Sequence, residues 1–67
     1  MVNLLKIKGC MAEHNHKQKD VAKILNLSKT SVNKKLTGKS EFTLKELSTL
    51  AEQYNQDINI FLSKNLN

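Results

Sequence analysis

The chain has no arginine, no proline, no tryptophan, one cysteine and two glycines in 67 residues. Each scarcity excludes something. A lone Cys10 cannot form an intramolecular disulfide and fits a reducing compartment. Without proline, and with only Gly9 and Gly38 as breakers, helix is favoured along most of the length. The only aromatics are Phe42, Tyr54 and Phe61. Each is better placed in a core than on a base-stacking surface, which leaves RNA binding without support. No apolar run approaches the ~18 residues a membrane helix needs, and no signal-peptide pattern opens the chain. The expected location is therefore the bacterial cytoplasm, on the nucleoid. There is no glycine-rich phosphate loop. Cys10 with a nearby histidine lacks an orienting acid or a cleft for nucleophilic chemistry, so no enzyme is expected.

What is present is helical patterning and positive charge. A chain this short makes one domain and buries only ~60% of the surface its unfolded form exposes. Hydrophobic residues are 39% and charged residues 25% of the total, which argues against disorder. The net charge is +5 and the basic side chains are all lysine. Lys17, Lys19, Lys23, Lys29, Lys34, Lys35 and Lys39 cluster together, with Asp20 the only acid among them; Glu13, Glu41, Glu46, Glu52 and Asp57 lie outside. Such a patch is either a solvated surface or the footprint of a polyanion.

Five helices are expected. The first runs from Val2 to about His14, with Leu4, Ile7 and Met11 inward and Leu5 and Cys10 flanking. Gly9 weakens it by ~1 kcal/mol relative to alanine and leaves room for a neighbouring helix to approach. The second is Gln18 to Leu25, with Val21, Ala22, Ile24 and Leu25 as its buried stripe. Lys17 is a poor cap there, offset by Asp20 in the first turn. Asn26-Leu27-Ser28 is a tight turn in which Asn26 takes a positive φ and Ser28 caps the next helix. Leu27 and Val32 form a hydrophobic staple that sets its entry angle.

The third helix, Lys29 to Leu36, turns only Val32 and Leu36 inward. At ~100° per residue, Thr30, Asn33, Lys34 and Thr37 point away from Val32. Gly38 stops it. Thr43 and Glu46 form a capping box, with Phe42 and Leu47 as staple, for a fourth helix running from Leu44 to about Tyr54. Its inward face is Leu44, Leu47, Leu50, Ala51 and Tyr54. Asp57 caps a short last helix, Ile58 to Leu62, and Ser63 to Asn67 is expected to fray.

The stretch Gln18 to Gly38 carries a resemblance. Gln18 opening a helix, the Val21-Ala22 pair, the turn Asn26-Leu27-Ser28, Val32, Leu36 and Gly38 together resemble the phage repressor and Cro-like (Xre-type) helix-turn-helix regulators. The resemblance covers Leu4 to Leu62. The segment Gly38-Lys39-Ser40-Glu41-Phe42-Thr43 is similar to a subset of small phage proteins. The departures are Asn26 where glycine is common, Lys17 where threonine is common, and His16 where an apolar residue is common.

The resemblance implies an all-α, compact five-helix bundle of the lambda-repressor-like DNA-binding type, its helix-turn-helix at helices 2 and 3. It implies a small phage or bacterial transcriptional regulator that binds double-stranded DNA sequence-specifically, with helix 29–36 in the major groove. Gln18, and Lys17 beside it, would meet phosphate. Ser28 caps the reading helix at the groove. Lys29, Thr30, Asn33 and Lys34 would face base edges or adjacent backbone. Lys39, Ser40 and the amides near Thr43 would hold the next phosphate.

Chemically, asparagine can pair with adenine, lysine with guanine O6 or N7, and a threonine methyl with a thymine methyl. One module buries little DNA, so a homodimer on a two-fold operator is expected. Tyr54 and Ile58 to Leu62 either form the self-association surface or close the monomer core. No cofactor and no metal are expected: Cys10, His14 and His16 are three candidate zinc ligands without a fourth. The rival class is a protein-binding antirepressor or antitoxin-like module, which an apolar outer face on helix three would favour.

Overall fold

The polypeptide is divided by residues that start helices and residues that can only end them. In the computed structural model, which describes residues 2–62, α1 is Leu4–Glu13, α2 Gln18–Leu25, α3 Lys29–Leu36 and α4 Leu44–Gln53. Asn3, Ser28 and Thr43 cap α1, α3 and α4, each side-chain oxygen accepting a backbone N–H three residues on at 3.0–3.2 Å. These bonds satisfy amides that have no partner inside the helix. The lysine at the head of α2 cannot accept a hydrogen bond. There the Asp20 carboxylate reaches back to the Lys17 amide at 2.7 Å.

The other ends are left-handed. Asn15, Asn26 and Asn55 have φ of 59°, 58° and 54°, and Gly38 has φ of 84°. Asparagine tolerates this region better than other side-chain-bearing residues, and glycine meets no Cβ penalty there. Three asparagines thus take the place that glycine fills elsewhere.

Two boundaries differ from expectation. α1 begins at Leu4, because Asn3 is its cap and Val2 lies in an antiparallel bridge with Leu62. The expected fifth helix is a four-residue 3-10 helix, η1 (Ile58–Phe61). Asp57 starts it by accepting the Asn59 amide at 2.9 Å. Leu62 then turns extended to pair with Val2, so no full α-helical turn is completed. The described residues are therefore all-helical apart from that bridge, with four α-helices in place of five. The expected frayed segment, residues 63–67, lies outside the described residues.

α2 packs on α3 and on α4, while η1 closes the bundle against α1 and α4. Ile7, Val21, Val32, Leu50 and Phe61 are wholly buried, and Tyr54 nearly so. Tyr54 and Phe61 therefore belong to the monomer core and not to a self-association surface. Ile58, Ile60 and Leu62 are only partly covered.

The expected faces of α1, α2 and α4 are corrected in part. Leu5 is 79% and Leu44 67% exposed. Leu5 sits about 160° around α1 from Ile7, on its opposite side. Leu44 is the first residue of α4, where the staple residue Phe42, buried, covers the core instead. Gly9 faces open space: a Cβ placed there would meet nothing within 4 Å. Ile24 and Leu25 are half-buried, leaving Val21 and Ala22 as the covered pair of α2.

Candidate nucleic-acid interface

The joint between α2 and α3 is built from local bonds. After Asn26 reverses the backbone, the Leu27 amide returns to the Ala22 carbonyl at 2.9 Å. Ser28 Oγ accepts the Ser31 amide and donates to Ser31 Oγ, both at 3.0 Å. Leu27 is half-buried and Val32 fully buried, as the staple requires. α3 is thus held by one apolar edge, Val32 and Leu36, and leaves Lys29, Thr30, Asn33, Lys34 and Thr37 exposed to solvent.

This arrangement brings together residues that are 11 or more apart in the chain. Gln18, at the head of α2, lines one open depression with Lys29, Thr30 and Asn33 of α3. Lys34 lies exposed on the next position of the same helix, and Lys17 is exposed beside Gln18. Carboxamide, hydroxyl and ammonium groups therefore meet on one shallow, open surface. They supply the donors and acceptors that base edges and phosphates pair with.

The remaining expected contacts lie past the C-terminus of α3. The Lys39 and Ser40 amides both donate to the Lys34 carbonyl, at 2.8 and 3.2 Å, and their side chains are exposed. The Thr43 amide donates to Glu46 Oε1 at 2.9 Å, and the Thr43 hydroxyl accepts from the Glu46 amide. Ser28 and Thr43 thus have capping work within the protein, and the Thr43 amide is already partnered. Thr37, at the end of α3, donates its hydroxyl to the Asn33 carbonyl at 2.8 Å.

One lysine of the basic cluster is turned inward. Lys35 Nζ donates to Glu46 Oε1 and to the Glu41 carbonyl, each at 2.9 Å, and sits 5.8 Å from the centre of the Phe42 ring. Burial pushes the Glu46 carboxyl up, but the hydrogen bonds from the Thr43 amide and from Lys35 outweigh it, and the net direction is down. The capping role of Glu46 is readable from its spacing to Thr43. Its second partner, 11 residues earlier, has no local signal.

A second grouping also escaped pattern reading. His16 Nδ1 lies 2.9 Å from the Tyr54 hydroxyl, and the His14 ring stands 4.8 Å from the Tyr54 ring. His14 Nδ1 donates to the Cys10 carbonyl at 3.0 Å. Among the described residues, no three His, Cys, Asp or Glu side chains converge to hold a metal ion. No helix there is long and apolar enough to cross a membrane.

No curated protein and no solved structure matches the chain. A family model does, over residues 2–67, which is nearly the whole length. Its span takes in the helix-turn-helix, the caps and the closing 3-10 turn alike. The chain belongs to the BetR domain family, a helix-turn-helix-like DNA-binding domain of regulatory proteins.

Proposed function

We propose that this protein is a sequence-specific transcriptional regulator of the Cro/repressor-like type, with a lambda-repressor-like fold, which lays α3 in the major groove of double-stranded DNA. The observation that carries this reading is the convergence of Gln18, Lys29, Thr30 and Asn33 on one surface. α3 spends almost no side chains on the core beyond Val32 and Leu36. Lys17, Lys34, Lys39 and Ser40 flank that surface and hold phosphates, while Gln18 anchors the head of α2. Ser28 and Thr43 act from their caps, fixing the approach of α3 and α4 to the backbone. Asn33 pairs with adenine, Thr30 packs on a thymine methyl, and Lys29 and Lys34 donate to guanine. Lysine lacks the planar fork of arginine, so each subunit discriminates modestly.

Two copies supply the remainder on a two-fold operator with half-sites about one helical turn apart. With Tyr54 and Phe61 buried in the monomer, the half-covered Ile58, Ile60 and Leu62 are the residues left to meet a second copy.

The test is a titration on the duplex flanking the protein's own gene at several salt concentrations. Specific binding gives a steep fall of affinity with salt and a preference over random duplex. Asn33→Ala then lowers discrimination at one base pair of each half-site by about 1–3 kcal/mol. Equal affinity for random DNA, or unchanged discrimination in Asn33→Ala, refutes the base-reading role. Sedimentation of the free protein and the complex decides the stoichiometry.

A further inference from the structure

Lys35 sits in the densest part of the basic cluster, between Lys34 and Lys39, yet among the described residues its ammonium is the one in an ion pair. Its side chain is 13% exposed and that of Glu46 is 17% exposed. The ammonium reaches across from α3 to the head of α4 and binds the carboxylate at 2.9 Å. It also ties down the Glu41 carbonyl and lies over Phe42. The same Glu46 oxygen accepts the Thr43 amide. One carboxylate therefore joins the last turn of α3, the segment 37–43 and the first turn of α4. The exposed side chains of Lys39 and Ser40 hang from that segment, between the two fastened points. α3 packs principally on α2, so this ion pair is its polar fastening to α4.

We infer that Lys35 is a positioning residue and not a phosphate contact: with Glu46 it sets the pitch of α3 and the shape of the Lys39–Ser40 loop before DNA arrives. Its charge is spent inside the protein, so it releases no counterion on binding. Its loss weakens binding by loosening the surface that Lys34 and Lys39 present. A half-buried pair of this kind is costly to break on one side, because the other charge is left without a partner.

The inference rests on the DNA-binding reading, and the sign of one charge change separates the two. Removing an acid from a DNA-binding protein ordinarily strengthens binding, since repulsion of the phosphates falls. Glu46→Gln keeps an acceptor oxygen for the Thr43 amide but breaks the ion pair. It is expected to weaken operator binding about tenfold, the scale of one charged hydrogen bond. Lys35→Gln should weaken binding similarly at every salt concentration while leaving the slope of log K against log salt unchanged. Lys34→Gln and Lys39→Gln should each lower that slope by about one. Lys35→Arg should restore affinity.

Amide hydrogen exchange of the free protein supplies the reading without DNA. Lys35→Gln and Glu46→Gln should both speed exchange at Thr43, Lys39 and Ser40. Tighter binding by Glu46→Gln, or a slope lowered by one in Lys35→Gln, would overturn the inference. Unchanged exchange in both variants would overturn it as well. If the unaltered protein shows no salt-dependent duplex binding, the DNA reading fails, and the exchange result still decides whether the pair shapes the loop.

Discussion

The hydroxyl of Tyr54, at the end of α4, and Nδ1 of His16, in the turn before α2, lie 2.9 Å apart. The bond joins the scaffold to the residue just ahead of Lys17 and Gln18. Tyr54→Phe keeps the buried ring and removes only this bond. Unfolding in urea should show a loss of about 1 kcal/mol. No loss would mean that the His16 ring takes water equally well in place of the hydroxyl.

The same tyrosine sets an alkaline limit. Burial pushes its pKa from the ordinary 10.0 up to about 12, with the Cys10 and Asp20 charges adding to the effect. The folded form therefore keeps the phenolic proton where the unfolded chain loses it. Stability from this group is complete below pH 10 and is lost as pH rises from there through about 12. Urea midpoints measured at pH 9, 10 and 11 should fall along this window, using about those three settings to bracket its onset. The fall should be shallower in Tyr54→Phe, which has no phenol to titrate.

Gly9 interrupts α1 without a steric reason, since a Cβ there would meet nothing within 4 Å. Gly9→Ala should raise stability by about 0.5–1 kcal/mol and the melting temperature with it. A fall would show that another molecule approaches this face of α1 in solution.

Asn26 holds φ at 58° between the two helices of the joint. Asn26→Gly should leave stability within about 0.5 kcal/mol of the original, and Asn26→Ala should lose about 1–2 kcal/mol. Thermal melts of the pair check this directly. A larger loss in the glycine variant than in the alanine variant would show that the Asn26 side chain, and not its backbone, matters.

Cys10 is 6% exposed, and burial, aided by the nearby Glu13 charge, pushes its thiol pKa up. A buried thiol is a poor nucleophile. Alkylation by a thiol reagent should be slow in the folded protein and fast in urea. Equal rates would require α1 to open from the core in native buffer.

The bounds of α2 and α3 were readable to the residue because both are set locally. Ser28 caps, Leu27 and Val32 staple, and Asn26 accepts the left-handed turn; none of this needs distant contacts. The exposure of Lys29, Thr30, Asn33 and Lys34 followed from the narrow apolar edge of α3. The face assignments of Leu5 and Leu44 failed because apolar character does not say which side of a helix the neighbours occupy. The fifth helix failed for a related reason. Asp57 and three apolar residues could begin an α-helix, but pairing of Leu62 with Val2, 60 positions away, takes the chain out of helix. Lys35 with Glu46 and His16 with Tyr54 join residues 11 and 38 apart, and only the packing of the helices brings them together.

That pairing of Val2 with Leu62 is reinforced by the Asn3 amide, which donates to the Phe61 carbonyl at 2.7 Å. Residues 2 and 62 thus meet at one pole of the bundle, and the path between them is nearly a closed ring. A short linker across that pole would complete the ring, and the chain could then be opened at an exposed turn such as Asn55–Gln56 without changing the order of helices around the core. The joint of α2 and α3 would survive a cut there, since the bonds that shape it run between residues 22 and 31 and its fastening to α4 lies on the same side of the cut.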